Sequence, residues 1–361
     1  MNDLTAVKTA LSQYQDPYLA TDLFSADIVK SIGWEKEELK LELVFPYPNQ
    51  GEVSQLHETL KQLVMDAGVS NFTVNISHQI IGAKQKAQVE SLTNVKNIVA
   101  VSSGKGGVGK STTSVNLALA LVAEGASVGI LDADIYGPSQ GMMLSVAPGT
   151  HPQPLGEDKM LPIMAHGIQS MSIAYMIDDG TAMVWRGPMA SGAIAQMVNQ
   201  TQWGELDYLI IDMPPGTGDI QLTLSQKVPM TASVVVTTPQ DIALLDAKRG
   251  IEMFRKVDIP VLGVIENMSV HVCSNCGHQE HIFGAGGGER IANDYQSELL
   301  GELPLDIAIR TQADSGEPSV LSDPEGAIAE RYRGIARKLG ARLHQLAQSS
   351  KAGPVLSIVD D

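Results

Sequence analysis

Between Ser102 and Thr112 the chain reads SSGKGGVGKST, in which glycines, lysines and hydroxyls stand at the spacing that grips a triphosphate. Gly104, Gly106, Gly107 and Gly109, with Lys105 and Val108 between them, let the backbone close around an anion. Successive N–H groups and the start of the next helix then point at the phosphates. Lys110 is placed to reach the β- and γ-phosphates, Ser111 to set its hydroxyl on Mg²⁺, and Thr112 completes the motif. The alternative, a glycine-rich turn that binds nothing, does not account for the setting. Residues 97–102 (NIVAVS) read as a buried strand entering the loop, and residues 115–122 (VNLALALV) as a helix leaving it towards Gly125.

Carboxylates fall where such a site needs them. Asp212 ends the apolar run DYLIID, the Walker B arrangement for holding Mg²⁺, and Met213 to Asp219 (MPPGTGD) follows as a glycine loop suited to sensing a γ-phosphate. Asp132 and Asp134 end the strand after the first helix. Asp134 is the candidate for positioning or deprotonating the attacking water and Asp132 for supporting Mg²⁺; capping of the next segment is the competing role for both.

Cys273 and Cys276 form a C-x₂-C pair, and they are the chain's only cysteines. Two thiolates at this spacing grip one soft metal or two corners of an iron-sulfur cluster. Completing four ligands takes either a second subunit or His271, His278 and His281, the latter giving a zinc knuckle. On spacing alone zinc and a cluster stand level.

The elements that must carry these residues read as a parallel α/β sheet. Residues 127–131, 208–211, 233–237 and 261–265 are short apolar strands alternating with helical patterns. The acids and glycines fall at the strands' carboxyl ends, where ligands collect. Residues 1–81 read as a small α+β domain of order α-β-β-α-β, with no clustered acid, base or nucleophile, and therefore as a docking module. A polar linker (82–94) leads to the main domain (95–361). The balance of 25 basic against 41 acidic residues, net −16, argues against broad attraction to nucleic acid or anionic lipid. The start lacks the pattern of a signal peptide and no run reaches membrane-spanning length, so the expectation is a cytoplasmic protein with neither nucleic-acid nor membrane partners.

GKGGVGKS, with its additional Lys105, resembles the phosphate loop of the ATPase group that includes partitioning ATPases, nitrogenase iron protein and arsenite-pump ATPases. In that group the extra lysine crosses a dimer interface to the partner's nucleotide; the competing role for Lys105 is a solvated loop lysine. The resemblance also implies adenine, read by Asn267 at the end of the VLGVI strand. Taken together, GKGGVGKST, LDADIYGPS, WRGPM, IDMPPGTGD, VIENMS with CSNCGH, and FGAGGGE are similar to the Mrp/ApbC family of P-loop ATPases that carry iron-sulfur clusters, over about residues 97–347. The small domain ahead of them resembles the one at the start of many bacterial members.

That resemblance implies a P-loop NTPase fold whose mostly parallel sheet is covered by helices on both faces. It implies an ATP-hydrolysing homodimer using Mg²⁺ in which Lys105 and Lys110 serve ATP; Asp134 and Asp212 join them as catalytic candidates, and Asp219 and Asn267 as nucleotide contacts, by their places at strand ends and in the glycine loop. Cys273 and Cys276 of two subunits would share a [4Fe-4S] cluster destined for apo iron-sulfur proteins. The rival readings are a partitioning-type positioning ATPase, which does not need the cysteine pair, and a redox enzyme like nitrogenase iron protein, whose cysteines are widely separated.

Overall fold

The computed structural model describes residues 4–85, 92–176 and 187–351. The amino-terminal part runs α1 (Leu4–Leu11), β1 (Val29–Glu35), β2 (Glu38–Phe45), α2 (Val53–Asp66) and β3 (Phe72–His78), the α-β-β-α-β order expected from its periodicities. Strands β1 and β2 form an antiparallel hairpin, and β3 adds parallel to β2. Alternation decides the faces: Leu39, Leu41, Leu43 and Phe45 of β2 are buried while Lys40 and Glu42 are exposed. The buried face meets Leu56, Leu60 and Val64, one stripe of α2, and Val7 and Leu11 of α1.

A second sheet carries the rest. Its strands are β4 (Val95–Ser102), β5 (Val128–Asp132), β6 (Ile163–Ala165), β7 (Ile168–Ser172), β8 (Leu206–Asp212), β9 (Ala232–Thr237) and β10 (Val261–Glu266). A hairpin of β11 (His271–Val272) and β12 (Gln279–Glu280) follows outside the sheet, and β13 (Glu298–Glu302) returns to it. Among the described residues the order is β6-β7-β5-β8-β4-β9-β10-β13, parallel throughout except for β6 against β7.

The helices between strands are α3 (Lys110–Ala123), the single turn α4 (Gln140–Met143), α5 (Gly187–Gln200), α6 (Asp219–Lys227), α7 (Asp241–Lys256) and α8 (Gly287–Asp294). Then α9 (Ile307–Asp314) and α10 (Ser319–Ser322) lead into α11 (Ala327–Lys351). They cover both faces. Val99 and Val101 of β4 pack with Val115, Leu117 and Leu121 of α3 and with Tyr332 and Ile335 of α11. The alternate residues Ile98 and Ala100 pack with Ile194 of α5, Leu224 of α6 and Phe254 of α7. A sheet buried on both sides requires near-continuous apolar strands, which is why NIVAVS and YLII are legible at once.

The amino-terminal unit sits on the far end of the phosphate-loop helix. Glu124, just past α3, is fully buried. It accepts hydrogen bonds from the Gly51 N–H (2.9 Å), Arg333 Nε (2.6 Å) and Arg337 Nη2 (2.7 Å). Arg337, itself buried on α11, also donates to Glu52 (2.8 Å), Glu330 (2.7 Å) and the Tyr18 hydroxyl (3.2 Å). Ala341 of α11 is a member of the amino-terminal core. Part of the stretch read as a linker is also held: Ala83 N–H donates to Asn97 Oδ1 (3.0 Å) and Gln85 Nε2 to the Val95 carbonyl (2.7 Å). Residues 86–91 of that stretch, Trp185 and Arg186 of WRGPM, and the acidic tail after 351 lie outside the described residues.

Candidate functional site

The phosphate loop joins β4 to α3 and is shaped by glycines needed for two different reasons. Gly109, at φ +81°, opens α3 in a left-handed conformation that an L side chain resists. Gly104 is needed for room: a Cβ there would lie 2.1 Å from the Asp246 carbonyl carbon of α7. The loop is braced from behind by Asn267, whose Nδ2 donates to the Val108 carbonyl (2.8 Å) while its Oδ1 accepts from Met268 N–H (2.9 Å). Asn267, expected at the base, therefore touches the loop itself.

Lys110 and Asp212 meet at the centre. The lysine is 6% exposed and the aspartate 0%, and Lys110 Nζ lies 2.7 Å from Asp212 Oδ1 and 3.0 Å from Ser111 Oγ. Asp212 has two more donors: Ser114 Oγ reaches Oδ1 (2.8 Å) and Gln140 Nε2 reaches Oδ2 (2.9 Å). Gln140 and Ser114 are not legible as site residues in the sequence. The first sits in a loop-to-helix step, the second one turn into α3, and only the fold brings either to Asp212.

Asp132 is fully buried beside this pair, on the strand next to Asp212. Its carboxylate accepts backbone N–H from Asp134 (3.1 Å), Ser139 (2.9 Å) and Gln140 (3.0 Å), and the Ser172 hydroxyl (3.3 Å). It thus anchors the whole 133–139 loop. Burial, and then the neighbouring Asp212 carboxylate, push its pKa up to about 7 against those N–H donors. Asp134 is half-buried at the mouth; burial raises its carboxyl above the usual range, and the Lys110 charge works against that rise.

The glycine loop after β8 leans on the phosphate loop through Gly216 N–H to the Ser103 carbonyl (3.0 Å), and Asp219 is exposed in the first turn of α6. Lys105 is half-exposed, its Nζ 3.5 Å from Gln240 Oε1 at the start of α7. Lys105, Lys110, Ser111, Asp132, Asp134 and Asp212 thus belong to elements that meet at one sheet edge, in agreement with the rule that ligands gather at strand carboxyl ends.

The cysteines lie apart from that pocket, in the turn of the β11–β12 hairpin. Cys273 N–H donates to the His278 carbonyl (2.9 Å) and Gly277 N–H to the Cys273 carbonyl (2.8 Å). Both thiols are free; Cys276 is exposed and Cys273 partly so. Backbone N–H groups of Asn275 and Cys276, and the Cys276 thiol, hold the Cys273 pKa below its ordinary value, which favours the thiolate a metal needs. Nearby histidines are engaged with backbone: His271 Nδ1 with the Leu305 carbonyl (3.1 Å) and His281 Nδ1 with that of Ser269 (2.7 Å). Among the described residues no three His, Cys, Asp or Glu side chains gather in a metal-holding group. Val272, Ile282 and Ile307 are exposed apolar side chains on the hairpin and close to it in sequence or hydrogen-bonding neighbourhood.

Residues 94–340 match the family model described as ParA, NUBPL iron-transfer P-loop NTPase. The iron-sulfur cluster carrier protein of Pseudomonas fragi is 62% identical over 276 residues, covering 76% of this chain and 96% of its own length. That of Escherichia coli K12 is 51% identical over 339 residues, covering 94% and 92%. A nucleotide-binding protein from Archaeoglobus fulgidus, solved in complex with ADP, superposes with a TM-score of 0.58 at 34% identity, over 67% of this chain and 93% of that one. The cell-division ATPase MinD of Pyrococcus furiosus, at 21% identity and a TM-score of 0.52, shares the fold. The match over residues 94–340 and the identity shared over most of the chain show that it belongs to the ParA/NUBPL family of iron-transfer P-loop NTPases, alongside the bacterial iron-sulfur cluster carrier proteins.

Proposed function

We propose that the chain works as a homodimer that holds a [4Fe-4S] cluster between the Cys273 and Cys276 pairs of two copies and passes it to apo iron-sulfur proteins. The chain is an ATPase by its family; the cargo, its seat and its delivery are the proposal. The observation that carries it is the hairpin. It offers two accessible thiols, one with a lowered pKa, and no third ligand gathers beside them among the described residues, so a second copy is the natural source of the other pair. Exposed apolar side chains on segments that neighbour the site residues in the chain, among them Met142, Ile242, Leu245 and Ile307, suit a partner's surface. A Cys₂His₂ zinc knuckle within one chain fits less well: the Nδ1 contacts of His271 and His281 with backbone carbonyls leave Nε2 open to a metal, but among the described residues no histidine gathers with the cysteines into a group of three ligands.

In the ATPase cycle Lys110 would leave Asp212 for the β- and γ-phosphates, and Ser111 and Asp212 would hold Mg²⁺, whose charge would offset that of the phosphates. Asp134 would orient the attacking water and take its proton as the new oxygen–phosphorus bond forms in line with the one breaking to the ADP oxygen, and Lys105 would reach the nucleotide of the other copy. Asp219 and the glycine loop before it sense the γ-phosphate. Asn267 places the phosphate loop six residues from Cys273, so nucleotide state has a short path to the cluster. The division into an amino-terminal unit (1–81), a connection (82–94) and an ATPase domain (95–361) belongs to the same proposal, as does a cytoplasmic location. Among the described residues no helix is long and apolar enough to cross a membrane.

Anaerobic reconstitution with iron and sulfide tests this reading. The expected result is about four irons per dimer, and loss of that iron in Cys273→Ser and in Cys276→Ser with the ATPase fold retained. Stoichiometric zinc in each monomer without iron uptake would establish the knuckle instead.

A further inference from the structure

Gln140 is fully buried at the first residue of α4 and ties together three segments that nucleotide chemistry must coordinate. Its Nε2 donates to Asp212 Oδ2 (2.9 Å) and to the Ser111 carbonyl (3.1 Å), and its backbone N–H to Asp132 Oδ2 (3.0 Å). One residue therefore touches the Walker B carboxylate, the phosphate-loop serine and the anchor of the 133–139 loop. The other polar atom of its side chain, Oε1, is buried without a hydrogen-bond partner among the described residues. A buried amide oxygen left without a donor is rare in a settled core, and it suits a site where a donor arrives with a ligand.

The two oxygens of Asp212 are used differently. Oδ1 takes Lys110 and Ser114, whereas Oδ2 takes Gln140. When Lys110 turns to the phosphates, Oδ1 loses its cationic partner while Oδ2 remains held. We propose that Gln140 is a positioning residue: it fixes Asp212 through Oδ2 so that Oδ1 is presented to Mg²⁺, and it transmits displacement of the 133–139 loop to that carboxylate. Its Oε1 would accept a hydrogen bond from a water that a bound metal brings. This inference rests on the reading of the cleft as a Mg²⁺-nucleotide site.

The test is binding of a fluorescent ADP analogue over a series of free Mg²⁺ concentrations and in EDTA, for the parent, Gln140→Leu and Gln140→Glu. Leucine keeps most of the volume without the donor, and glutamate keeps the shape while replacing the donor with an acceptor. Both variants should raise the Mg²⁺ concentration for half-maximal binding by about tenfold, the loss typical of a residue that orients a metal ligand, and Gln140→Leu should lose less affinity in EDTA than in Mg²⁺. Half-saturation unchanged in both variants, or an equal loss of affinity with and without Mg²⁺, would make Gln140 a packing residue and overturn the assignment. If Gln140→Leu does not fold, the isosteric Gln140→Glu decides on the same readout. A parent whose ADP binding ignores Mg²⁺ overturns the reading of the cleft and this inference with it; a Mg²⁺-dependent parent with unshifted variants overturns this inference alone.

Discussion

Replacing Lys110 with alanine is expected to lower ATP turnover by roughly 10³-fold, since it removes the charge clamp on the β- and γ-phosphates where negative charge must be stabilised in the transition state. The geometry adds a second effect. Lys110 is the cation in salt-bridge contact with Asp212, and both are nearly inaccessible to water. Without it the buried carboxylate keeps, among the described residues, the neutral donors Ser114 and Gln140, so the nucleotide-free protein should lose about 3 kcal/mol of stability, the usual result of breaking a buried pair from one side. The double change Lys110→Ala with Asp212→Asn removes the orphaned charge and should restore most of that stability and none of the activity. Phosphate release at saturating Mg²⁺-ATP and urea unfolding in EDTA read the two effects separately. Turnover within a few-fold of the parent would remove Lys110 from catalysis.

The second large effect is expected far from the nucleotide. Arg337→Leu deletes the guanidinium shared by Glu124, Glu52, Glu330 and Tyr18, leaving Glu124 buried with Arg333 as its remaining ion-pair partner. The expected cost is about 3 to 5 kcal/mol in urea unfolding. Desolvation opposes the charged form of Arg337, and its hydrogen bonds to Glu124, Glu330 and Tyr18 outweigh that, so the net pull is towards the cation. A pair change such as Arg337→Met with Glu124→Gln should be milder, because it removes both sides of one contact. A loss below about 1 kcal/mol for Arg337→Leu would mean that the network is as solvated as a surface ion pair.

The strands carrying the phosphate loop, Asp132, Asp212 and Asn267 are legible in the sequence because a sheet covered on both faces must be apolar at nearly every position. What escapes that logic is polar or short. The edge strand β13 reads ELLGE, with its outer residues half-buried or exposed, and β7 reads IQSMS, whose buried Ser170 and Ser172 are hidden by tertiary packing rather than by hydrophobicity. The site divides in the same way. Lys110 and Ser111 are legible from the loop's spacing and Asp212 from its place at the end of an apolar run, whereas Gln140, which lies in none of the sequence motifs, acquires its place through a contact 72 residues away along the chain. Asn267 shows the limit of resemblance: its position at a strand end was readable, but its hydrogen bond to Val108 belongs to the folded loop. Glu124 gives no local sign of its importance, since a glutamate beside Gly125 at a helix end reads as ordinary surface.

The Arg337 network also bears on the order in which the chain is completed at the ribosome. Glu52 and Arg337 are separated by 285 residues, so at about 5 to 20 residues per second the arginine is synthesised on the order of 15 to 60 s after its partner. Throughout that interval Glu52 and Glu124 have no Arg337, and the amino-terminal core lacks Ala341. The segment made first therefore waits with the face around Glu52 uncovered until α11 emerges, and a chain truncated before Arg337 would keep that face uncovered, a direct route to recognition by chaperones and proteases.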